Sequence, residues 1–403
     1  MRAGTTEFRR ANRALFIGGF STFSLLYCVQ PLMPLFAREF HLTPMQSSLS
    51  LSVSTAALAI GLLIASVISD HLGRKPLMCA ALFTSAVTTV LCAFAHNYSQ
   101  LLLMRFVLGL VLAGLPAVAM AYLSEEIEPS SLGYSMGLYI GGSALGGMTG
   151  RVLASVLSDA LAWRVAIAVI GMASFLAAIE FWRSLPNSTH FHKSRFNGPT
   201  IVAGLRSHFR DRGLPWLFLL AFLLMGCFVS LYNYMSFRLM EPQFGLRQSE
   251  IAAIFSLYLM GIFSSVWVGK LADKFGRRRV LWLVVSVMLA GLWLTLSNSL
   301  LLIIGGVALF TFGFFGGHCV ASSWVGRRAM GAQALASALY LFFYYLGSSV
   351  VGSLSGVMWE SNGWHGVVLA LSASLLAALF IALHLRTLPL VTDDATVSQP
   401  PSM

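Results

Sequence analysis

Three ionisable side chains stand out because they lie within or beside long stretches that carry no other charge. Two are arginines, Arg105 and Arg151, and the third is the imidazole of His318. A cation in an apolar environment can bind an anionic or polar ligand or take part in proton movement, but an arginine can also extend its side chain to a polar boundary. An imidazole there can carry protons, although a neutral histidine in ordinary packing is more common.

Uncharged polar residues near the middle of such stretches suit hydrogen bonds to a small molecule. Gln30, Tyr232 and Asn233 are in this position, and bonds between helices explain them equally well. The acids Glu180 and Glu250 lie near the ends of their stretches rather than deep within them. Sites that bind cations inside a membrane commonly carry a carboxylate, so this distribution favours a neutral or anionic ligand at least as much as a cationic one.

The stretches without Asp, Glu, Lys or Arg are long enough to cross a lipid bilayer as helices. Only 10% of the 403 residues are charged, whereas a soluble domain carries roughly 25%. A membrane-spanning helix needs roughly 20 apolar residues, and the stretch 280–326 is long enough for two, with a break near 297–299. We therefore predict an all-α membrane protein with twelve spans, numbered in chain order along the stretches 14–37, 42–69, 76–104, 106–124, 129–150, 165–179, 213–237, 251–269, 280–326, 329–359 and 361–385.

The net charge of +11 follows the expected membrane topology rather than a nucleic-acid partner. If the N-terminus is in the cytoplasm, 20 of the 26 Lys and Arg residues fall on cytoplasmic segments, which is the usual positive-inside bias. This asymmetry predicts a multi-pass protein of the bacterial inner (cytoplasmic) membrane with both termini in the cytoplasm. The stretch 14–37 has no convincing cleavage site after it, so we interpret it as a retained first helix.

The sequence shows no pattern of catalytic or metal-binding residues. It has no nucleophile–base arrangement, phosphate-binding loop or metal-ligand spacing, so we predict neither an enzyme nor a cofactor. All five cysteines fall inside predicted spans, where packing as small apolar side chains is their simplest role: Cys28, Cys79, Cys92, Cys227 and Cys319.

The chain repeats a short motif at about half its length. The pattern Asp-x-x-Gly-Arg occurs after the second span, from Asp70 to Arg74, and again 203 residues later, from Asp273 to Arg277. Six spans precede and six follow the polar segment between the halves, so both halves have the same orientation, as expected for parallel repeats. We predict an N-terminal bundle at 1–185, a cytoplasmic linker at 186–213, a C-terminal bundle at 214–388 and a cytoplasmic tail at 389–403.

These motifs resemble the loop motif of the major facilitator superfamily, and the resemblance covers nearly the whole chain. The family pattern Gly-x-Leu-Ala-Asp-x-x-Gly-Arg is matched fully at 269–277. The resemblance implies a cytoplasmic gate, in which Asp70 caps the helix that begins near 333–337 and Arg74 reaches an acid at the end of the fourth span. Arg277 is expected to lack an equivalent acid, because arginines end the tenth span. The implied gating residues are Asp70, Gly73, Arg74, Glu125, Glu126, Gly269, Asp273, Gly276 and Arg277.

Further resemblances concern the fourth and fifth spans. Arg105, followed by Gly109 and Gly114, resembles the family's second motif, whose arginine is linked to proton coupling. The fifth span resembles the glycine-rich helix of the twelve-helix drug:proton antiporter branch, and the chain is similar to uncharacterised enterobacterial inner-membrane members, although the usual proline is absent. Simple helix packing explains the small residues of this span equally well: Gly142, Gly146, Gly147 and Gly150.

Together these features predict a proton-coupled secondary transporter that exports a small molecule by alternating access. A cavity near the middle of the membrane is expected between spans 1, 4, 5, 7, 8, 10 and 11, faced by Gln30, Arg151, Tyr232 and Asn233. The expected partners are the substrate, protons and the lipid bilayer, without nucleic acid, and we expect a monomer. Two alternatives remain, namely a transporter-like receptor that senses a ligand, and a passive uniporter.

Overall fold

The computed structural model describes the chain in three segments, residues 1–189, 198–329 and 333–388. Within them, the side chains at a few positions are not described, namely 66, 67, 70, 198–201 and 334. The predicted tail at 389–403 therefore lies outside the described residues, and so does the predicted cap by the side chain of Asp70. The described part of the chain is almost entirely helical, which confirms the predicted all-α class.

The helices of the first half make six passes across the membrane. Helices α1 and α2 form one interrupted pass, with a 3₁₀ turn at Gln30–Leu32 between them, and α5 and α6 form another that is interrupted before Pro116. The bounds are α1 Thr6–Tyr27, α2 Met33–Glu39, α3 Pro44–Leu72, α4 Arg74–Cys92, α5 Tyr98–Leu112, α6 Pro116–Glu126, α7 Pro129–Ala160 and α8 Trp163–Ser184.

The second half repeats this arrangement after a short helix, α9, that lies within the predicted linker. Helices α11 and α12 form one pass with a 3₁₀ turn at Ser256–Tyr258 between them. Helix α15 makes two passes, because its backbone turns at Asn362 and at Gly363, whose φ of +56° favours glycine. The bounds are α9 Gly198–Arg210, α10 Leu214–Met240, α11 Gln248–Phe255, α12 Leu259–Phe275, α13 Arg277–Leu294, α14 Leu300–Arg328 and α15 Gln333–Thr387.

The structure makes twelve passes, but fewer helical segments are long and apolar enough to be recognised one by one as membrane spans. In the part of the chain that the structure describes, nine helical segments could span a membrane by length and composition. Helix α15 counts once among them although it crosses twice. Helix α7 is less apolar because of its glycines and serines, and α13 begins with three arginines, so both fall short although each lies among the other passes.

Glycines set the closest helix contacts in both halves. Gly142, Gly146 and Gly150 of α7 face the backbone of α1, where a Cβ atom at Gly146 would overlap the carbonyl of Phe20. Gly347 of α15 faces the backbone of α10 in the same way. Such small residues let helix backbones approach closely in a membrane. Gly147 differs, since its nearest neighbour is the side chain of Arg151.

The two halves contact each other along α3 and the first pass of α15, and between α7 and α11. The contact between α3 and α15 includes hydroxyl groups, with Ser353 Oγ donating to Ser52 Oγ at 2.6 Å. One large apolar core extends through both halves, and a smaller one fills the inner, predicted cytoplasmic end of the first half. The polar residues singled out by sequence are therefore positioned by rigid helices packed against each other.

Candidate functional site

The first membrane pass is broken near its middle. Pro31 and Pro34 follow the point where α1 ends at Tyr27, and proline has no N–H group with which to continue the backbone hydrogen bonds of a helix. The last carbonyls of any helix lack partners within the helix. The carbonyl oxygens of Leu25 and Leu26 are in this position. The Cys28 thiol, 3.4 Å from the Leu25 oxygen, is a weak local donor, so both carbonyls need further donors from another part of the chain.

Arg105 supplies these donors. Its Nη1 donates to the carbonyl of Leu25 at 3.0 Å, and its Nη2 donates to the carbonyl of Leu26 at 2.6 Å. Its Nε donates to the carbonyl of Ser50 in α3 at 2.9 Å, and Gly109 leaves room for α3 to pass closely. Arg105 is 1% exposed, so its side chain points into the protein and joins three helices instead of reaching the membrane boundary.

Arg151 of α7 has different surroundings. Its Nε donates to Oε1 of Gln30 at 2.6 Å, and its Nη1 donates to the carbonyl of Gly147 at 2.6 Å. The rings of Tyr27 and Tyr258 cover the guanidinium group, with centroids 4.0 and 4.4 Å from its carbon atom. Among the described residues, Nη2 has no hydrogen-bond partner and no carboxylate forms an ion pair with Arg151.

A chain of hydrogen bonds leads from Arg151 into the second half of the molecule. Gln30 accepts from Arg151 and donates through Nε2 to Oδ1 of Asn233 in α10 at 2.7 Å. Asn233 in turn donates through Nδ2 to the carbonyl of Gly352 in α15 at 3.2 Å. Three of the residues singled out by sequence, on three different helical segments, are thus brought together.

Tyr232 is next to Asn233 in sequence but belongs to a separate group of rings. Its hydroxyl bonds to the hydroxyl of Thr311 in α14 at 2.8 Å, and its ring centroid lies 4.9 Å from that of Tyr258. Tyr258 in turn contacts Phe228, which stacks on Phe314 at 3.8 Å. We refer to the connected rings as the aromatic cluster, which comprises Phe228, Tyr232, Phe255, Tyr258, Phe314, Phe315, His318, Tyr340 and Tyr344.

His318 lies at the far end of the aromatic cluster from Arg151. Its Nδ1 is 2.9 Å from the hydroxyl of Tyr340, and its ring is parallel to that of Phe314, with centroids 6.1 Å apart. The centroid of the Tyr344 ring lies 4.8 Å from that of His318. Among the described residues, no carboxylate forms an ion pair with His318, so its polar partner is a hydroxyl group.

The four residues expected to face a cavity are enclosed by protein in this conformation. Gln30, Tyr232 and Asn233 are 0% exposed and Arg151 is 1% exposed, so none of them faces lipid. One polar atom beside them has no partner, because the hydroxyl of Tyr258 is buried without a hydrogen bond to any described residue. Sequence analysis missed Tyr258, since aromatic residues are frequent in the predicted spans and its position became informative only beside Arg151.

At the inner face, the first copy of the loop motif holds an ion pair. Arg74 binds Glu125 through two parallel bonds, from Nη2 to Oε1 at 2.7 Å and from Nε to Oε2 at 3.2 Å. Its Nη1 also donates to Ser69 Oγ at 2.6 Å. Gly73 joins α3 to α4 with a φ of +93°, which a residue with a Cβ rarely adopts. The expected contact of Arg74 with Glu125 is present, and its role in gating remains a prediction.

The second copy of the motif has the same turn but different contacts. Gly276 has a φ of +89°, and Gly269 lies where α12 passes α14. Arg277 forms its ion pair with Asp273 of the same motif at 3.1 Å and donates to Ser323 of α14 at 3.0 Å. Within the described residues, α14 thus offers Arg277 a hydroxyl group and not an acid, so the two inner ends differ as expected.

The ends of α6 and α14 hold the linker between the halves. Glu126, the alternative partner expected for Arg74, accepts from the N–H and hydroxyl groups of Thr189 at 2.7 and 2.9 Å. Arg328 donates to Asp211 at 2.5 Å, and Asp211 also accepts from the backbone N–H groups of Gly213 and Leu214. Burial alone would raise the pKa of the Asp211 carboxyl, but these bonds outweigh it and the pKa is lowered.

Comparison with known proteins gives consistent matches. The sequence profile described as Major Facilitator Superfamily matches residues 15–247 and 236–401. The inner membrane transport protein YnfM of Escherichia coli is 47% identical over 386 residues, which cover 96% of this chain and 93% of YnfM. The uncharacterised MFS-type transporter YybF of Bacillus subtilis is 46% identical over 385 residues, which cover 96% of this chain and 95% of YybF.

Among solved structures, a bacterial homologue of the human lysosomal transporter Spinster, in an inward-facing and occupied conformation, has a similar fold. The TM-score is 0.79 at 16% sequence identity, and the alignment covers 95% of this chain and 97% of the homologue. At this identity the likeness concerns the fold alone. The sequence matches are to transporters and not to enzymes.

Proposed function

Because the chain belongs to the major facilitator superfamily, we propose that it is a proton-coupled transporter that exports a small molecule by alternating access. The proposed location is the inner membrane, as the name of YnfM states for that relative, with both termini in the cytoplasm. In transporters with parallel repeats, the two halves rock about a site between them. The proposed site lies around Arg151, Gln30 and Asn233.

The observation that carries this proposal is the buried hydrogen bond between Gln30 and Asn233. It joins the two halves at 2.7 Å and is tied to Arg151, a buried cation, through the same Gln30 side chain. A polar group buried inside a membrane protein usually marks a binding or transport pathway. A ligand that bound Arg151 would compete for the bonds of Gln30, and would therefore act on the contact that must break when the halves separate.

Polar contacts near the predicted outer face support a conformation that is closed on that side. Asp159 at the end of α7 accepts from Arg247 at 3.2 Å and from Ser249 at 2.5 Å, and these residues lie before and at the start of α11. The side chain of Gln248 donates to the carbonyl of Pro31. Alternating access requires these bonds between the halves to break when the site opens outward.

The proposed export direction and proton coupling have separate support. The glycine-rich α7 resembles that of drug:proton antiporters, which supports export. For coupling, His318 is the candidate group, because an imidazole can gain and lose a proton near neutral pH and it hydrogen bonds to Tyr340. Protonation of His318 would add a charge beside the aromatic cluster and change the balance between the two conformations.

Everted membrane vesicles provide the test of the proposed function. In these vesicles an exporter carries its substrate into the lumen, so we expect at least one compound of a drug and organic-acid panel to accumulate when respiration maintains a proton gradient. An uncoupler should abolish the accumulation, and vesicles without the protein provide the control. Binding to the purified protein without any accumulation would instead support a receptor, and accumulation that an uncoupler leaves unchanged would support a uniporter.

A variant of the proposed coupling residue sharpens this test. His318→Gln retains a polar side chain but cannot become a cation, so we expect it to lose gradient-driven accumulation while it still exchanges labelled for unlabelled substrate. Exchange needs the conformational change but no net proton movement. Unchanged accumulation by His318→Gln would refute the coupling role of this residue and leave the transporter proposal in place.

A further inference from the structure

Two donors near the break in α1 have no acceptor among the described residues. They are Nη2 of Arg151 and the buried hydroxyl of Tyr258, and the centroid of the Tyr258 ring lies 4.4 Å from the guanidinium carbon. Arg151 is 1% exposed and Tyr258 is 7% exposed. A buried cation is costly unless an opposite charge or enough acceptors compensate it. The pair is thus suited to receive acceptor atoms from a ligand.

We infer that the site takes a small organic anion whose acid group is attached to a flat apolar body. The inference rests on the proposed function, since it names the class of substrate for the same site. The acid group would accept hydrogen bonds from Arg151 and from Tyr258. A guanidinium group presents its N–H groups in a planar fork that matches the two oxygens of a carboxylate.

The charges around the site favour an anion over a cation. Arg105 is a second cation beside the same break in α1, and its nitrogens bind backbone carbonyls, so it adds positive potential without a counter-ion. Among the described residues, the only buried carboxylate is Glu126, which lies at the inner end of α6 and binds the linker. A cationic ligand would therefore meet two like charges and no acid at the site.

The rings beside Arg151 indicate the shape of the rest of the ligand. The ring centroids of Tyr27 and Tyr258 lie 4.0 and 4.4 Å from the guanidinium carbon of Arg151. The aromatic cluster continues from Tyr258 through Phe228 to Phe314. Aromatic side chains bind flat rings by stacking or by edge contacts. A ligand with its acid group at Arg151 would place its apolar body along these rings, in the direction of His318.

Three ligands that share one ring system and differ in charge test the inference. Indole-3-acetate is an anion, tryptamine is a cation and indole-3-acetamide is neutral at pH about 7. Their binding to the purified full-length protein is measured by isothermal titration. We expect the anion to bind roughly 10- to 100-fold more tightly than the other two, which corresponds to one charge-assisted hydrogen-bond site. Tighter binding of tryptamine, or no binding of indole-3-acetate, would overturn the inference.

Variants of the site residues test whether the preference for an anion arises at Arg151 and Tyr258. Arg151→Gln should remove the preference for the anion, and Arg151→Lys, which keeps the charge but not the fork, should retain part of it. Tyr258→Phe should weaken binding of indole-3-acetate several-fold and that of indole-3-acetamide less, because a hydrogen bond to a carboxylate is stronger than one to a neutral carbonyl. Arg212→Gln, at an exposed linker position, is the matched control. If Arg151→Gln elutes as a folded monomer and still prefers the anion, the assignment to Arg151 is wrong.

The outcomes separate this inference from the proposed function. Anion binding that depends on Arg151, without gradient-driven accumulation of any anion in vesicles, would support the ligand class and reject the proton-coupled exporter. Accumulation of an amine, without measurable binding of indole-3-acetate, would support the transporter and reject the ligand class.

A second pair of ligands tests the flat apolar body. Phenylacetate should bind several-fold more tightly than cyclohexylacetate, and equal binding would reject that part of the inference.

Discussion

Arg105 and Arg151 are both fully buried cations of the first half, and neither forms an ion pair with a described carboxylate, yet they meet different groups. All three nitrogens of Arg105 donate to backbone carbonyls, two of which the break in α1 leaves without helical partners. Arg151 leaves Nη2 without a partner and lies between aromatic rings and a glutamine. We therefore propose that a donor left without a partner, rather than burial of the charge alone, distinguishes a binding arginine from a structural one.

The largest effect should come from removing the structural arginine. Arg105→Leu takes a charged donor from the carbonyls of Ser50, Leu25 and Leu26, and leaves that of Leu26 without any donor among the described residues. A hydrogen bond to a charged group is worth roughly 1.5–3 kcal/mol. The sum is comparable with the whole stability of a typical domain, about 5–15 kcal/mol. We expect little protein in the membrane, and a strongly lowered unfolding temperature for what remains. Normal abundance and an unchanged unfolding temperature would show that Arg105 is not structural.

Arg151→Gln should leave abundance and stability intact but reduce transport. It removes a cation that has no counter-ion, so we expect normal abundance and an unfolding temperature that is unchanged or higher. Transport should nevertheless fall, by roughly 10- to 100-fold if one charge-assisted hydrogen bond to the substrate is lost. Transport is measured in vesicles containing equal amounts of each protein. A loss of abundance as large as that of Arg105→Leu would remove the distinction between the two arginines.

A third arginine, Arg74, extends the comparison to the inner face, where the counter-ion is present. Arg74→Glu places two acids together in a partly buried position, and we expect it to abolish transport while the protein remains in the membrane. Glu125→Arg in the same molecule should partly restore transport by reversing the pair. An exposed ion pair is worth roughly 0–1 kcal/mol, and this one is partly buried and bidentate, which increases its effect. Normal transport by Arg74→Glu would exclude this pair from the gate.

The smallest effect should come from the neutral bond between the halves. Gln30→Ala and Asn233→Ala each remove one side of the bond, which is worth roughly 1 kcal/mol. Their effects on transport rate should be less than additive in the double variant, because both single variants break the same contact. Additive effects would show that the two residues act independently and that their bond does not connect the site to the movement of the halves.

The number and type of the passes could be predicted because long uncharged stretches are read directly from sequence. The turns within those stretches could not be predicted from charge. For example, the uncharged stretch 76–104 contains the end of α4, the start of α5 and the turn between them. The broken passes at Gln30–Leu32 and Ser256–Tyr258 are also invisible to a charge count. Prolines mark the first break but not the second.

The candidate site could be predicted only in part. Arg151, Gln30 and Asn233 were singled out because polar residues are rare in the spans. Their mutual bonds depend on three helices that are far apart in sequence. The contacts of Arg105 were not predictable in the same way, because its partners are backbone carbonyls, which every residue possesses. For the same reason, the unpaired hydroxyl of Tyr258 has no sequence signal.

The central claim is that Arg151 contacts the substrate and Arg105 does not. The most direct measurement is the resonance of each arginine Nε in purified protein with isotopically labelled arginine, assigned with Arg151→Lys and Arg105→Lys. When indole-3-acetate is added, we expect the Arg151 resonance to shift in a saturable manner and that of Arg105 to stay in place. A shift of the Arg105 resonance with an unchanged Arg151 resonance would show that Arg105, and not Arg151, contacts the ligand.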